Sequence, residues 1–166
     1  MRVFIGIDPG MTGGLAAVDE GGSLISVIPT PRVKGSSGPQ DYHAIKEWFA
    51  SMKKRGRVEA ALEKISVRPG EGVKSTLTAG TNWGFVKGML VAVGARYVEP
   101  TPQAWKKTLG LPKRTGKERQ KGKEDAVVLA TQLFPGIDLT PGKKRVPHDG
   151  MADAVLIAEY ARRTLS

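Results

Sequence analysis

The chain has 166 residues, no cysteine and a formal net charge of +10 at pH 7. The lack of cysteine excludes disulfides and thiolate-ligated zinc, and it favours a reducing compartment such as the cytoplasm. No apolar run approaches the roughly 20 residues of a membrane span, and Asp8 interrupts the short apolar run at the start, so neither a membrane helix nor a signal peptide is predicted. We therefore expect one soluble domain, residues 1–166, whose positive charge favours a polyanionic partner such as nucleic acid.

The first predicted element is a buried strand over residues 3–7, where the sequence VFIGI is almost wholly apolar. It ends at Asp8, before the turn dipeptide Pro9-Gly10, and residues 15–18 return as the second strand of a hairpin. A carboxylate at the end of a buried strand is costly unless a cation or hydrogen-bond donors meet it. The alternative is that Asp8 only accepts hydrogen bonds from its own turn.

The next segments predict a third strand over residues 23–29, a loop over residues 30–40 and then a helix. Asp41 is placed to cap that helix, and Gly56 to end it. Its apolar residues recur at helical spacing on one face: Ile45, Trp48, Phe49 and Met52. Residues 58–63 alternate as a fourth strand that ends on a second acid, Glu63.

A glycine-rich loop over residues 66–72 precedes a helix predicted over residues 75–93. In this helix Gly80, Gly84 and Gly88 recur every four residues. Such a smooth stripe favours close packing against a helix or sheet, with phosphate binding as the less favoured alternative. A short strand follows over residues 96–99, and Thr101-Pro102 then starts a helix in the sequence PQAWKKTLGL.

Residues 106–123 form a basic segment with eight cations and one acid, Glu118. We assign its cations to DNA contact, with a solvated charged linker as the alternative. Two cations outside it, Arg68 and Lys74, are assigned the same role. The cations of the segment are Lys106, Lys107, Lys113, Arg114, Lys117, Arg119, Lys121 and Lys123.

The remaining elements are a helix over residues 124–134, an irregular stretch over residues 135–147 and a last helix that starts near His148 and continues to Leu165. Asp149 and Asp153 are four residues apart and therefore share one face at the start of this helix. Two like charges in this position repel each other unless a cation lies between them. The element order predicts an α/β fold in which helices flank a mixed five-stranded sheet.

Asp8, Glu63, Asp149 and Asp153 offer only oxygen ligands, which Mg²⁺ prefers. Two such ions can activate an attacking water and stabilise the leaving oxygen at a phosphodiester. A serine hydrolase fits poorly because no nucleophile elbow is present, and His43 and His148 are too far apart in sequence to suggest a zinc site. Carboxylates on a basic protein instead favour metal-dependent phosphodiester cleavage.

The motifs IGIDPGMTGG and HDGMADAVLIA, together with Glu63 and PTPQAWKKTLGL, resemble those of RuvC-type Holliday junction resolvases, and most closely the compact bacteriophage branch. The resemblance implies a ribonuclease H-like fold, a homodimer and cleavage of four-way DNA junctions with Mg²⁺ or Mn²⁺, two ions per site. By matching position, Asp8, Glu63, Asp149 and Asp153 would be the catalytic, metal-binding set. The final acids have an unusual spacing of four, and residues 64–72 lack the aromatic that bacterial members carry there.

Other interpretations stay open at this stage. Within the nuclease class, the acids equally suit a flap nuclease or one that cuts RNA–DNA hybrids. GIDPGMTGG also resembles the phosphate-binding loop of the actin and hexokinase superfamily, which binds ATP, although those proteins need two such domains. A DNA-binding module without catalysis would use the basic segment alone.

The expected homodimer needs an interface, and the helix over residues 75–93 is our candidate. Its glycine stripe permits close approach, and Trp83 and Phe85 lie on the same helix. Aromatic residues are enriched in the cores of protein interfaces. The alternative is that this helix packs only against its own sheet.

Overall fold

In the computed structural model, which describes residues 1–34, 38–66, 70, 72–142 and 144–166, five strands and five α-helices follow one another. A single 3₁₀ turn at Gly116–Glu118 precedes the fourth α-helix. The elements are β1 (Arg2–Asp8), β2 (Gly14–Asp19), β3 (Leu24–Pro29), α1 (Tyr42–Arg55), β4 (Arg57–Leu62), α2 (Val73–Ala92), β5 (Arg96–Val98), α3 (Pro102–Thr108), α4 (Arg119–Leu133) and α5 (Asp149–Leu165).

The five strands form one mixed sheet in the order β3-β2-β1-β4-β5, with β1 at its centre. The hairpin partners β1, β2 and β3 are antiparallel, whereas β4 and β5 run parallel to β1. The predicted α/β fold with a mixed five-stranded sheet is therefore confirmed. Because β1 and β4 are parallel, their carboxyl ends meet at the same edge of the sheet.

Alternate residues of β1 face two different helical layers. Val3, Ile5 and Ile7 pack against α1 and α2, whereas Phe4 faces the layer that contains α3, α4 and α5. Side chains alternate along a strand, so Asp8 points to the same face as Phe4. In β4, Leu62 packs towards α1 and α2, so the next residue, Glu63, also points towards the α5 layer.

The predicted elements all form, with shifts at their ends. Strand β4 stops at Leu62, one residue before Glu63, and α2 begins at Val73 rather than at residue 75. The largest difference is α4, which begins at Arg119 instead of residue 124. Lysine, arginine and glutamine are good helix formers, so a positively charged stretch need not be a linker.

Helix α2 does not use its glycine stripe to pack within the chain. Gly80, Gly84 and Gly88 are exposed, and a Cβ added to any of them would meet no described atom within 4 Å. Within one chain the stripe does not face the sheet, because the sheet lies on the opposite face, under Val86 and Leu90. Although α2 has 20 residues, no helix in the described ranges is long and apolar enough to cross a membrane.

Candidate active site

Asp8 ends β1 and begins a tight turn over residues 9–13. Its Oδ1 atom accepts a hydrogen bond of 3.0 Å from the backbone N–H of Gly10, so the predicted contact with its own turn does form. Burial raises the pKa of the Asp8 carboxyl above its usual range, although that hydrogen bond and the charge of Lys106 act in the opposite direction. Asp8 is therefore a desolvated acid for which one backbone donor does not offset the cost of charge.

Glu63 lies beside Asp8 because the two parallel strands continue in register. The backbone N–H of Glu63 donates to the carbonyl oxygen of Ile7 at 3.0 Å. The Glu63 Oε1 atom accepts a 2.8 Å hydrogen bond from Nε1 of Trp105, a fully buried side chain of α3. This bond orients the carboxylate at the edge of the sheet.

The last helix reaches this edge because glycines remove side chains between α5 and the hairpin. A Cβ on Gly6 would lie 2.1 Å from the carbonyl oxygen of Ala154, and one on Gly150 would lie 2.1 Å from that of Thr12. The backbones of β1 and α5 are thus in direct contact. This approach carries Asp149 and Asp153, in the first turns of α5, to the acids that end β1 and β4.

The start of α5 is fixed by His148, which is its N-cap. The Nδ1 atom of His148 accepts a 3.2 Å hydrogen bond from the backbone N–H of Met151. Burial and the nearby charge of Lys144 lower the pKa of the His148 imidazole. His148 is thus a neighbour of the acid cluster that shapes the helix start.

Asp149 differs from the other acids in its surroundings. Its Oδ2 atom forms a 2.8 Å ion pair with Nζ of Lys123 in α4, and its side chain is 43% exposed. Hydrogen bonding to Asp149 raises the pKa of Lys123. The basic segment is therefore tied directly to the acidic end of α5.

The charge of Asp8 acts on both Glu63 and Asp153. Burial, followed by the charge of Asp8, raises the pKa of Glu63 to about 7. Burial also raises the pKa of Asp153 to about 7. The charge of Lys106 opposes this rise, and the charge of Asp8 adds to it. A cation that enters this cluster relieves both the desolvation and the mutual repulsion.

Within the described ranges, no group of three or more histidine, aspartate or glutamate side chains is arranged so that it could hold a metal ion. The donors nevertheless fit a hard divalent ion, because they are carboxylates held at one sheet edge at a high electrostatic cost. Mg²⁺ keeps several waters and completes its coordination with substrate phosphates, so a few protein carboxylates suffice. The chemistry of the cluster therefore fits Mg²⁺ or Mn²⁺.

The predicted DNA-contacting cations are distributed unevenly around this cluster. Lys106, at the end of α3, and Lys123 are the two whose charges act on the acids. Arg114 is held by Asp125 at 2.9 Å and by Glu118 at 3.5 Å, so it also joins the loop before α4 to that helix. Arg68 lies outside the described residues. The remaining cations are all exposed: Lys74, Lys107, Lys113, Lys117, Arg119 and Lys121.

A groove of about 430 Å³ extends from the Asp8 turn along the first half of α2. Pro9, Met11, Lys74 and Thr78 are among its lining residues. Below it, buried Asn82 accepts a 2.8 Å hydrogen bond from the Tyr42 hydroxyl and donates a 3.1 Å contact to the sulfur of Met11. Asn82 thereby anchors the turn over residues 9–13 to α2.

Two contributors to the site did not emerge from the sequence. Trp105 was placed only in a helix, and Asn82 was not singled out. The spacing of Trp105 behind the Thr101-Pro102 cap predicts a buried position on α3, but the partner of its indole N–H depends on how α3 packs. Asn82 is a polar residue on the buried face of α2. Because buried polar side chains are generally hydrogen-bonded, this position is the one local signal that Asn82 has a partner.

The raised pKa of Asp153 predicts how stability depends on pH without metal. Between about pH 4 and 7 the native state retains a proton that the unfolded state has lost, so the free energy of unfolding falls as pH rises through this range. Asp153→Asn removes the cost of ionising this buried carboxyl above pH 7. It is expected to stabilise the metal-free protein by about 2 kcal/mol, or several degrees in Tm. Thermal melts at pH 5 and pH 8 in EDTA measure the effect.

Asp138→Asn is the matched control, because hydrogen bonds from Thr140 lower the pKa of this exposed acid. Its removal is not expected to stabilise the protein at pH 8. A lower Tm for Asp153→Asn than for the wild type at pH 8 would contradict the electrostatic account.

Comparisons with known proteins found no matching family model and no matching curated protein. Solved structures do match. RuvC of T. thermophilus in complex with a Holliday junction substrate is 19% identical, with a TM-score of 0.64 over 95% of this chain and 91% of that chain. Another Thermus thermophilus RuvC structure is 19% identical, with a TM-score of 0.60 over 95% and 92%.

The yeast mitochondrial Holliday junction resolvase Ydc2 is 16% identical, with a TM-score of 0.53 over 96% of this chain and 77% of that chain. These similarities concern the fold, which in each case extends over nearly all of this chain. The more specific likeness to the bacteriophage branch stays a prediction. The chain thus has the ribonuclease H-like fold of RuvC, as its motifs indicated.

Proposed function

We propose that this chain is a divalent-metal-dependent endonuclease that resolves four-way DNA junctions. The observation that carries the proposal is the meeting of Asp8, Glu63 and Asp153 at one sheet edge, next to cations of the basic segment. Acids at that edge can hold metal ions, while Lys and Arg hold the phosphate backbone. The similarity to RuvC bound to a Holliday junction supports the choice of substrate.

Asp8, Glu63 and Asp153 would hold two ions, with Asp149 as a further ligand when it releases Lys123. Bound Mg²⁺ or Mn²⁺ supplies an activated water and stabilises the leaving oxygen of an in-line displacement. The protein contributes orientation: the Gly10 N–H fixes Asp8, and the Trp105 indole fixes Glu63. Lys106 adds positive charge where a scissile phosphate would approach.

The direct test is incubation of the protein with labelled four-way, three-way, flap and linear DNA and with an RNA–DNA hybrid. Each substrate is tested with Mg²⁺, with Mn²⁺ and with EDTA. We expect paired nicks in opposing strands of the four-way junction, only when metal is present. Preferred cleavage of the flap or hybrid would instead identify another ribonuclease H-like nuclease. Tight DNA binding without cleavage of any substrate would contradict a catalytic role.

The basic segment is proposed to bind the DNA backbone. Removal of one cation that binds a phosphate should flatten the slope of log affinity against log salt by about one unit. Changing Lys117, Arg119 and Lys121 together to alanine is therefore expected to flatten this slope by up to about three units and to weaken all DNA substrates similarly. Fluorescence anisotropy between 50 and 300 mM salt, roughly the range in which such slopes are resolved, measures it.

The control replaces Lys53, Lys54 and Arg55, which carry the same charge at the end of α1. The backbone N–H of Arg57 donates to the carbonyl oxygen of Met1, so this end of α1 lies where β1 begins, at the sheet edge opposite Asp8. The control should retain the wild-type slope. An unchanged slope in the first variant would assign the basic segment to a solvated linker.

We also propose that the protein acts as a homodimer, because a nearly two-fold symmetric junction needs two nicks and one site makes one. The exposed face of α2 is the candidate interface. Trp83 and Phe85 pack towards their own sheet, which leaves an apolar row on the outer face. The row recurs every three or four residues: Val73 (86% exposed), Leu77 (69%), Gly80, Gly84, Gly88 and Val91 (67%).

Light scattering of the wild type should give twice the mass of one chain. Leu77→Glu is expected to produce monomers, because it places a charge in the centre of the apolar row. Val128→Glu, on the exposed surface of α4, serves as the control and should remain dimeric. A wild type that is monomeric at micromolar concentration and binds one per junction would contradict the dimer.

A further inference from the structure

A second groove lies on the other side of the Asp8 turn. Its volume is about 390 Å³, and it is formed by the end of β3, the following loop, the loop before α5 and the start of α5. Its lining includes Thr30, Arg32, Lys144 and His148. None of these segments belongs to the basic segment of residues 106–123.

The groove collects positive charge and hydrogen-bond donors from two separate segments of the chain, one after β3 and one before α5. Arg32 is fixed by a 2.8 Å hydrogen bond from its Nε to the carbonyl oxygen of Gly38. Lys144 is exposed and lines the groove together with His148. No acidic residue is found among the described residues that line the groove.

His148 presents a donor to this groove for a structural reason. Its Nδ1 accepts the Met151 N–H, so Nε2 is the ring nitrogen that can donate. An N–H donor beside one arginine and one lysine is suited to an oxyanion with several acceptor atoms, such as a phosphodiester. Proline and glycine at residues 29, 31, 141 and 142 also line the groove.

The turn over residues 9–13 separates the two grooves. Met11 lines both of them, with Lys74 on the α2 side and Arg32 and Lys144 on the other. The turn itself is held rigidly, since Asn82 binds Met11 from one side and the backbone N–H of Thr30 donates to the carbonyl oxygen of Gly13 from the other. Two phosphate backbones can therefore lie on either side of one fixed ridge, with Asp8 at its base.

We infer that this second groove binds the phosphodiester backbone of a second DNA strand next to the branch point, through Arg32, Lys144 and His148. The inference rests on the proposed function and extends it. At a branch, two strands leave the same point in different directions, whereas a linear duplex offers no second strand at that position. The groove would thus favour branched over linear DNA.

The test compares the wild type with Arg32→Ala/Lys144→Ala in binding to a four-way junction and to a linear duplex of equal length, without metal. Removal of two phosphate-binding cations should flatten the salt slope for the junction by about two units and weaken binding by on the order of 10-fold or more at 0.1 M salt. The linear duplex should show little change. Lys144→Ala alone, which keeps the Arg32–Gly38 bond, should give about half the change in slope.

Lys54→Ala/Arg55→Ala is the charge-matched control at the far end of α1, and it should bind both DNAs as the wild type does. Equal weakening of junction and duplex would overturn the inference, and so would an unchanged junction slope. Titration with inorganic phosphate tests whether the groove is instead a site for free phosphate. If Lys144→Ala abolishes phosphate binding but leaves the affinity for the junction unchanged, the inference is also overturned. Failure of the wild type to cleave junctions would instead refute the proposed function, since these binding measurements use no catalysis.

Discussion

Asp8→Asn is expected to abolish strand cleavage, with a fall of at least about 10³-fold in rate, equivalent to about 4 kcal/mol in the barrier. The side chain keeps its size and the amide can still accept from the Gly10 N–H, but it no longer supplies an anionic ligand. DNA binding should be unchanged or tighter, because a negative charge that faces phosphate has been removed. Single-turnover cleavage of a labelled junction and anisotropy of the same substrate measure the two effects.

Glu63→Gln should behave as Asp8→Asn does, whereas Asp149→Asn should lose less activity. Asp149 is partly exposed and already paired with Lys123, so it contributes less than Asp8 and Glu63 to the buried acid cluster. Asp138→Asn is the control, because it removes an exposed acid outside the cluster and should cut at the wild-type rate. If Asp8→Asn cleaves junctions as fast as the parent protein, the proposed active site is refuted.

Gly6→Ala is expected to destabilise the fold by about 3 kcal/mol or more, at the upper end of the cost of overpacking. The added Cβ would lie 2.1 Å from both the Ala154 carbonyl oxygen and the Ala158 nitrogen. Both are backbone atoms of α5, so the clash cannot be relieved by rotation of a side chain. The helix must move away from the sheet and take Asp153 with it.

Chemical denaturation measures the change, and Gly84→Ala provides the control in the same assay. Within one chain a Cβ on Gly84 meets no described atom within 4 Å, so at protein concentrations low enough to give monomers only helix propensity changes, and alanine is favoured by up to about 1 kcal/mol. The two substitutions are chemically identical and should have opposite signs. A Gly6→Ala protein as stable as the wild type would show that α5 is not held directly against β1.

The central strand and its acid were predictable because local signals are strong there. An apolar run that stops at Asp8 before Pro9-Gly10 specifies a buried strand and its end without reference to the rest of the chain. Alternation along residues 58–63 similarly placed Glu63 near a strand end. The parallel pairing of these two strands then follows from the α1 crossover between them.

The relations between distant segments were not predictable from spacing. Nothing local to α5 says that Gly6 brings its backbone against β1, or that Gly150 brings it against the turn after β1. Only the family resemblance therefore placed Asp153 beside Asp8. The neighbour of the glycine stripe of α2 was not predictable either, because periodicity reveals a smooth face but not what covers it. The start of α4 was placed too late because the helix was predicted only where its apolar spacing begins, although the charged residues before Glu124 also favour helix.

The contact between β1 and α5 also has a consequence for synthesis. Ribosomes deliver β1, Glu63 and the basic segment before α5, and pairings between distant parts of a chain form slowly. A growing chain that has reached α4 already carries the positive charge that attracts nucleic acid, yet it lacks Asp153 and the helix that covers Gly6. Translation of α5 is therefore the step that completes the proposed active site, and until then the unfinished polypeptide lacks part of the acid set that we propose for cleavage.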